Sequence, residues 1–177
     1  MPPTLRTRRL LLRPFRSDDA DDVFAYAADR EWSRYLPVPD PYTRRSAEEF
    51  VAKAIEADDR TRFEWAIDHE GRASGGLSLW TIQPDAAEVG YSVARALWGR
   101  GLATEAAEAV ISFGFEELGL ARIQATADIR NAASWRVMEK LGMRREAVVP
   151  MERPAGDGVL YAVRRGDWRA REPVPDR

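Results

Sequence analysis

The stretch LWGRGLATEA, residues 97–106, restricts the fold more than any other part of the chain. Two glycines flank an arginine and lead straight into helix-favouring residues, while the run before them, AAEVGYSV (86–93), reads as a strand. The backbone amides in a helix's first turn have no partner inside the helix, and together with the helix dipole they form a ready site for an anion. Glycine at 99 and 101 removes the Cβ that would shield those amides and permits the positive φ a tight turn needs. Gly99 and Gly101 therefore suit a loop that wraps phosphate oxygens; Arg100 adds a charge beside it and Thr104 offers a hydroxyl. The same residues also suit an ordinary strand-to-helix connection whose arginine faces water. Neither the nucleotide P-loop pattern nor the Gly-x-Gly-x-x-Gly of a dinucleotide fold is present.

The flanking segments supply both layers of such a fold. RRLLLRPF (8–15) is a short apolar strand that stops near Pro14. SDDADDVFAYAAD (17–29) reads as a helix with Ser17 as its N-cap, aspartates where the dipole favours them, and Val23, Phe24 and Ala27 at helical spacing. Prolines at 37, 39 and 41 make 35–42 a loop, and 44–59 forms an amphipathic helix with Phe50, Val51, Ala54 and Ile55 on one side. Strands at 63–68, 73–82 and 87–93, separated by turns at Glu70-Gly71 and Pro84-Asp85, predict an antiparallel meander. After the glycine turn come a helix over 101–117, a strand over 121–128, a helix over 131–143 stopped by Gly142, and a closing strand within GVLYAVRRGDW (158–168). That order predicts one α+β domain over 1–177, a mixed sheet with helices packed on it, its core at about 7–168 and a fraying tail at 169–177.

Composition removes several chemistries. With 27 basic and 29 acidic residues the net charge is only −2, so no global field holds nucleic acid or an anionic membrane. Any anion must be met locally. The arginines at 6, 8, 9, 13 and 16 face Asp18, Asp19, Asp21 and Asp22 in sequence and read as balanced surface charge. There is no cysteine, which excludes disulfides, thiolate metal sites and thiol nucleophiles, and a single histidine, His69, argues against a catalytic triad or a multi-histidine metal site. Arginines interrupt the N-terminal apolar run and no membrane-length segment exists, so the expectation is a cytoplasmic protein.

AEVGYSVARALWGRGLATEA resembles the signature of the GNAT superfamily of acyl-CoA-dependent N-acyltransferases, and most of all its ribosomal-protein N-terminal acetyltransferase branch, the RimJ/RimL type. Gly101 and Ala103 match the last two defined positions of the family motif Gln/Arg-x-x-Gly-x-Gly/Ala, and Trp98 stands where glutamine or arginine is usual. The opening strand and helix, the second signature NAASWRVMEKLGM with Met143 in place of phenylalanine, and the closing strand are similar as well, from about 7 to 168. The resemblance implies a central, mostly antiparallel mixed sheet in which a splayed strand pair forms the acyl-CoA cleft, with acetyl-CoA as co-substrate and no metal. It implies that residues 98–104 (Trp98, Gly99, Arg100, Gly101, Leu102, Ala103, Thr104) hold the pyrophosphate, and that Tyr91 and Val93 hold the pantetheine arm and thioester carbonyl through their backbones. It also implies that Asn131 meets a pantetheine amide and that Trp32, Tyr35 and the proline loop shape the acceptor pocket. A monomer or homodimer is usual.

Attack on a thioester needs a neutral amine, so a base must take a proton as the bond forms. Glu88, on the strand before the phosphate loop, is where relatives are thought to keep it. The resemblance places Ser134 near the sulfur, and with Met138 where many relatives carry a tyrosine, Ser134 is the best remaining donor of a proton to the departing thiolate. The expected reaction moves an acetyl group to the primary amine of a protein N-terminus or a small molecule. Bland readings stand beside each assignment: Glu88 as a solvent-facing carboxylate, Asn131 and Ser134 as local helix capping, Tyr91 and Val93 as core. A non-catalytic acyl-CoA-binding module and an enzyme using another acyl group such as succinyl also remain open.

Overall fold

The computed structural model describes residues 1–58, 60–152 and 156–170. Strands β1 (Leu5–Arg6) and β2 (Leu11–Pro14) precede helices α1 (Ala20–Ala27), α2 (Arg30–Ser33) and α3 (Arg44–Glu56). The predicted meander follows as β3 (Arg62–His69), β4 (Arg72–Gln83) and β5 (Ala86–Val93). Then come α4 (Leu102–Glu116), β6 (Arg122–Asp128), α5 (Ala132–Lys140), β7 (Arg144–Met151), β8 (Gly156–Arg164) and α6 (Arg165–Ala170). The eight strands form one sheet in the order β1-β2-β3-β4-β5-β6-β8-β7. Every neighbouring pair is antiparallel except β5 and β6, which run parallel because α4 carries the chain between them.

Alternation along the central strands sends side chains to two separate cores. Trp65, Ile67, Leu77, Leu79, Val89, Ile123 and Ala125 pack on the side of α4, against Leu102, Ala106, Val110, Ile111 and Phe115. Ala66 and Ala73 face the other side, where Phe15, Val23, Ala27, Trp32, Val51 and Ala54 from α1, α2 and α3 close a smaller core. Each fully buried aliphatic or aromatic side chain contributes roughly 1.5–3 kcal/mol. The helices of the second core are associated with one end of the sheet, so the fold is asymmetric about β5.

The open mixed sheet agrees with the expectation, but several details differ. Arg16, not Ser17, precedes the first helical turn, and Asp19 accepts the Arg16 backbone N–H at 2.7 Å. Arg13 and Asp19 are not surface charges: Arg13 lies opposite Ala66 on the α1 side, 4% exposed, and donates two 2.8 Å hydrogen bonds to Asp19 and one of 2.9 Å to Asp68. A guanidinium carried there by strand register must be paired. Helix α3 ends at Glu56, where Ala57 turns to ψ 133°, and its buried stripe is Ala47, Val51 and Ala54; Phe50 and Ile55 are 36% and 42% exposed. Strand β7 lies outside the expected elements, since RREAVVPM carries the charge of an edge strand whose outer residues meet water. Residues 165–168, expected in the closing strand, begin α6, which buries Trp168 beside Phe115 at 5.9 Å. The tail beyond 170, expected to fray, lies outside the described residues. Among the described residues no helix is long and apolar enough to cross a membrane.

Candidate active site

Strands β5 and β6 pair only over Ala86–Arg122, Ala87–Ile123 and Glu88–Gln124, then continue to Val93 and Asp128 without pairing again. Each stays bound to its outer neighbour, β5 to β4 through Val93 and β6 to β8 through Asp128, so the sheet forks at the Glu88–Gln124 rung. Ala94 donates its N–H to Ser74 at 2.8 Å on the β4 side. By the two-residue alternation of a strand, the even-numbered residues of β5 turn their backbone to β4, Val89 closes the last rung to Gln124, and Tyr91 and Val93 turn theirs into the fork. A strand edge with free amides thus lines one wall of the gap, as the family resemblance implied.

The fork opens toward the glycine turn. A 3-10 turn, Arg95–Leu97, follows β5, and the Trp98 amide donates to the Arg95 carbonyl at 3.0 Å. The expected amide contact at Trp98 is therefore engaged within the chain; its indole Nε1 instead donates to the Val93 carbonyl at 2.9 Å and ties the end of β5 to the turn. Gly99 and Gly101 have φ of 74° and 75°, the left-handed region that glycine adopts most readily. The α4 backbone ladder begins with Glu105 N–H donating to the Gly101 carbonyl at 3.1 Å, so the N–H groups of Leu102, Ala103 and Thr104 point out of the helix end. Leu102 and Thr104 have buried side chains, which leaves their amides as the groups to present; Arg100 is exposed.

A clamp that sequence reading missed supports this turn. Glu105 accepts from the Thr7 hydroxyl at 2.6 Å, the Arg9 amide at 2.8 Å and the Arg9 guanidinium at 2.6 Å, and Arg9 Nη1 donates to the Arg100 carbonyl at 2.9 Å. Burial pushes the Glu105 carboxyl up, but the hydrogen bonds from Thr7 and Arg9 outweigh it and hold the group below the usual carboxylate range. Local sequence balances Arg9 against the nearby aspartates, but its partner Glu105 lies 96 residues away, which no local pattern signals.

On the far wall, Asn131 caps α5, its side chain accepting the Ser134 backbone N–H at 3.2 Å. Ser134 Oγ donates to Tyr91 Oη at 3.3 Å, and Tyr91 Oη donates to the Ser134 carbonyl at 2.8 Å. The Tyr91 side chain thus bridges the fork from β5 to α5, and burial raises its phenol well above the ordinary range. Met138 is buried one turn further on. At the tip of β6, Arg130 donates to Asp128 at 2.8 Å, and its guanidinium stands 5.9 Å from the Tyr35 ring, joining the segment after α2 to the rim of the fork. Trp32 is buried against Tyr26 and Tyr42.

Glu88 and Tyr91 sit three residues apart on a regular strand, so their side chains leave opposite faces of the sheet. The structure brings Tyr91, Asn131 and Ser134 together on the α5 face and Val93 and Trp98 together at the strand end, and sets Glu88 on the other face beside Gln124, which donates to it at 2.8 Å. A group held in the gap would be reachable from both sides. Among the described residues no three His, Cys, Asp or Glu side chains are gathered as for a metal ion.

The profile of the Acetyltransferase (GNAT) domain matches residues 9–144. An uncharacterized N-acetyltransferase of Bacillus subtilis, YnaD, is 32% identical over 169 residues, covering 93% of this chain and 98% of its own. The chain belongs to the GNAT acetyltransferase family. A crystal structure of a GNAT-family acetyltransferase from Bacillus anthracis superposes with TM-score 0.81 at 30% identity, covering 93% of this chain and 99% of that one. RimL, a ribosomal L7/L12 α-N-protein acetyltransferase solved with coenzyme A, shares the GNAT fold at TM-score 0.80 and 18% identity, over 92% of this chain and 98% of its own. The forked sheet of this GNAT protein is accordingly an acetyltransferase fold.

Proposed function

We propose that this GNAT acetyltransferase moves an acetyl group from acetyl-CoA to a primary amine, with both substrates bound at once. The reading rests on one observation above all: the unpaired edge of β5 leads, through the short turn at 94–101, to the outward-pointing amides of the α4 terminus. Two sets of donors, one along the strand edge and one at the helix end, fit a long acyl carrier ending in a diphosphate. Amides of 101–104 hold the diphosphate, Gly99 and Arg100 shape and charge the turn, and the Tyr91 and Val93 N–H groups meet the arm and the thioester oxygen, where negative charge develops. Asn131 combines its capping bond with a contact to the arm.

When bound, the donor supplies an activated acetyl carbon in the gap. The acceptor amine attacks from the Glu88 face; Glu88 takes its proton, directly or through water, as the N–C bond forms. The C–S bond breaks toward α5; the Ser134 hydroxyl, turning from Tyr91 Oη, gives the departing thiolate a proton and regains one from water, while Glu88 releases the amine proton to water. The acceptor assigned here is a protein N-terminus or a small amine, in keeping with the RimJ/RimL-like motifs. Incubation with acetyl-CoA and a panel of free-N-terminal peptides, polyamines and aminoglycosides, read by thiol release and product mass, tests it. Acetylated amine with stoichiometric thiol supports the proposal; tight acetyl-CoA binding without turnover on any amine would mark a binding module instead, and turnover only with succinyl-CoA would change the donor.

A further inference from the structure

The Glu88 side chain faces away from α4 and α5, on a stretch of sheet crossed by a row of polar groups. From β6, Gln124 Nε2 donates to Glu88 Oε2 at 2.8 Å. Arg122, on the same strand, donates Nη1–H to Gln124 Oε1 and Nη2–H to Glu146 Oε2 of β7 at 2.6 Å. Arginine has donors only, so its contact dictates that the amide oxygen of Gln124 faces Arg122 and the amide nitrogen faces Glu88. The side-chain amide cannot flip without setting oxygen against carboxylate on one side and NH₂ against guanidinium on the other. On the opposite flank Trp80 pairs across from Glu88, its ring beneath the Arg62 guanidinium at 5.2 Å and 3.2 Å from where a Cβ on Gly90 would stand. Arg62 is itself paired with Glu64, so it is committed to another carboxylate.

We propose that Gln124 is a positioning residue for Glu88: with its amide locked by Arg122, it pins Glu88 Oε2 and leaves Oε1 directed to the acceptor amine at the root of the fork. The inference rests on the reading of Glu88 as the base. Glu88–Gln124 is the last paired rung before the strands part, so the hydrogen bond crosses the point at which the cleft begins. A carboxylate on a half-exposed strand position samples several rotamers unless one oxygen is held. Gln124 supplies the hold, and the ion pair between Arg122 and Glu146 extends it to the edge of the sheet.

Two measurements test this. In protein carrying ¹⁵N-labelled glutamine side chains, with the Gln124 signals assigned from Gln124→Met, Glu88→Gln should move the Gln124 amide protons, because the charged acceptor is gone; Gln124 signals unmoved by Glu88→Gln would overturn the contact without any assay of turnover. In steady-state kinetics with acetyl-CoA and the best amine of the panel, Gln124→Met should lower kcat about tenfold with the acetyl-CoA KM unchanged, and Arg122→Met, which frees the amide to rotate, should lower it about threefold. In a Glu88→Gln background, Gln124→Met should change kcat by less than about twofold, since the group it positions is already lost. If Glu88→Gln lowers kcat and Gln124→Met multiplies the loss, Gln124 is merely structural and the inference falls while the base reading stands. If Glu88→Gln leaves kcat at the wild-type value, the base reading falls and takes the inference with it. A thermal melt of Gln124→Met that stays cooperative, with its coenzyme A affinity kept at the wild-type value, separates loss of the donor from loss of folding.

Discussion

Gly99 and Gly101 offer a matched pair for testing the anion site, because their backbones are alike and their neighbours differ. Both hold φ near +75°, and replacing glycine there by alanine costs about 1–2 kcal/mol. Steric clash adds little: a Cβ on Gly99 meets nothing within 4 Å, and one on Gly101 meets only Arg9 Nη2 at 3.6 Å, an ordinary contact. Each alanine variant should therefore lower Tm by about 2–8 °C for a domain of this size. Binding should separate them. Gly101 immediately precedes the outward amides of 102–104, and a methyl group there shields at least one charge-assisted hydrogen bond to phosphate, worth about 1.5–3 kcal/mol. Calorimetric titration with coenzyme A should show Kd raised by about tenfold or more for Gly101→Ala and clearly less for Gly99→Ala. The stabilisation by ligand seen in thermal melts should shrink in the same order. Equal Tm losses with coenzyme A affinity unchanged in Gly101→Ala would refute the placement of the diphosphate at this helix end.

Other consequences follow from the same geometry. Ser134→Ala should reduce kcat by at least about tenfold yet lower the melting temperature by no more than about 4 °C, since the capping bond from the Ser134 backbone N–H to Asn131 survives and only the hydroxyl contact to Tyr91 is lost. Glu88→Gln should lower kcat most at low pH, where the amine is most protonated; a pH–rate profile that overlays wild type would make Glu88 a structural residue. Arg13→Met leaves Asp19 buried without its two-pronged partner and should cost about 3–5 kcal/mol in urea unfolding. Because the folded protein holds the Glu105 carboxyl below its ordinary range, the stability it contributes is present above the unfolded-state value and is lost as pH falls through the folded one. The urea midpoint should accordingly decline on the acid side in wild type and less steeply in Glu105→Gln, and an equal decline would dissociate the 7–9 arm from acid stability.

Much of this fold is legible where local chemistry and long-range packing agree. Residues 62–93 hold three strand-like runs separated by turn residues at Glu70-Gly71 and Pro84-Asp85, so their strands emerge within a residue or two of expectation. The glycines at 99 and 101 predict positive φ, and both have it. What escapes reading depends on register across the sheet. Arg13 looks like one more surface arginine until the β2–β3 pairing turns it inward to Asp19 and Asp68, and β7 has no apolar alternation because it is an edge. In the candidate site, Glu88, Tyr91, Asn131 and Ser134 are visible from motifs, but the Tyr91 hydroxyl bridge to Ser134 and the Gln124 contact to Glu88 join elements 36 to 43 residues apart. Neither has a spacing rule, so only the fold reveals them.

The central claim, that the forked edge of β5 and the amides of the α4 terminus form one binding track, is tested most directly by a crystal structure of the protein with coenzyme A. The account predicts diphosphate oxygens about 3 Å from the backbone nitrogens of residues 101–104, with the pantetheine arm along Val93 and Tyr91 in the gap between β5 and β6. A diphosphate bound elsewhere, or an arm that bypasses the fork, would contradict it.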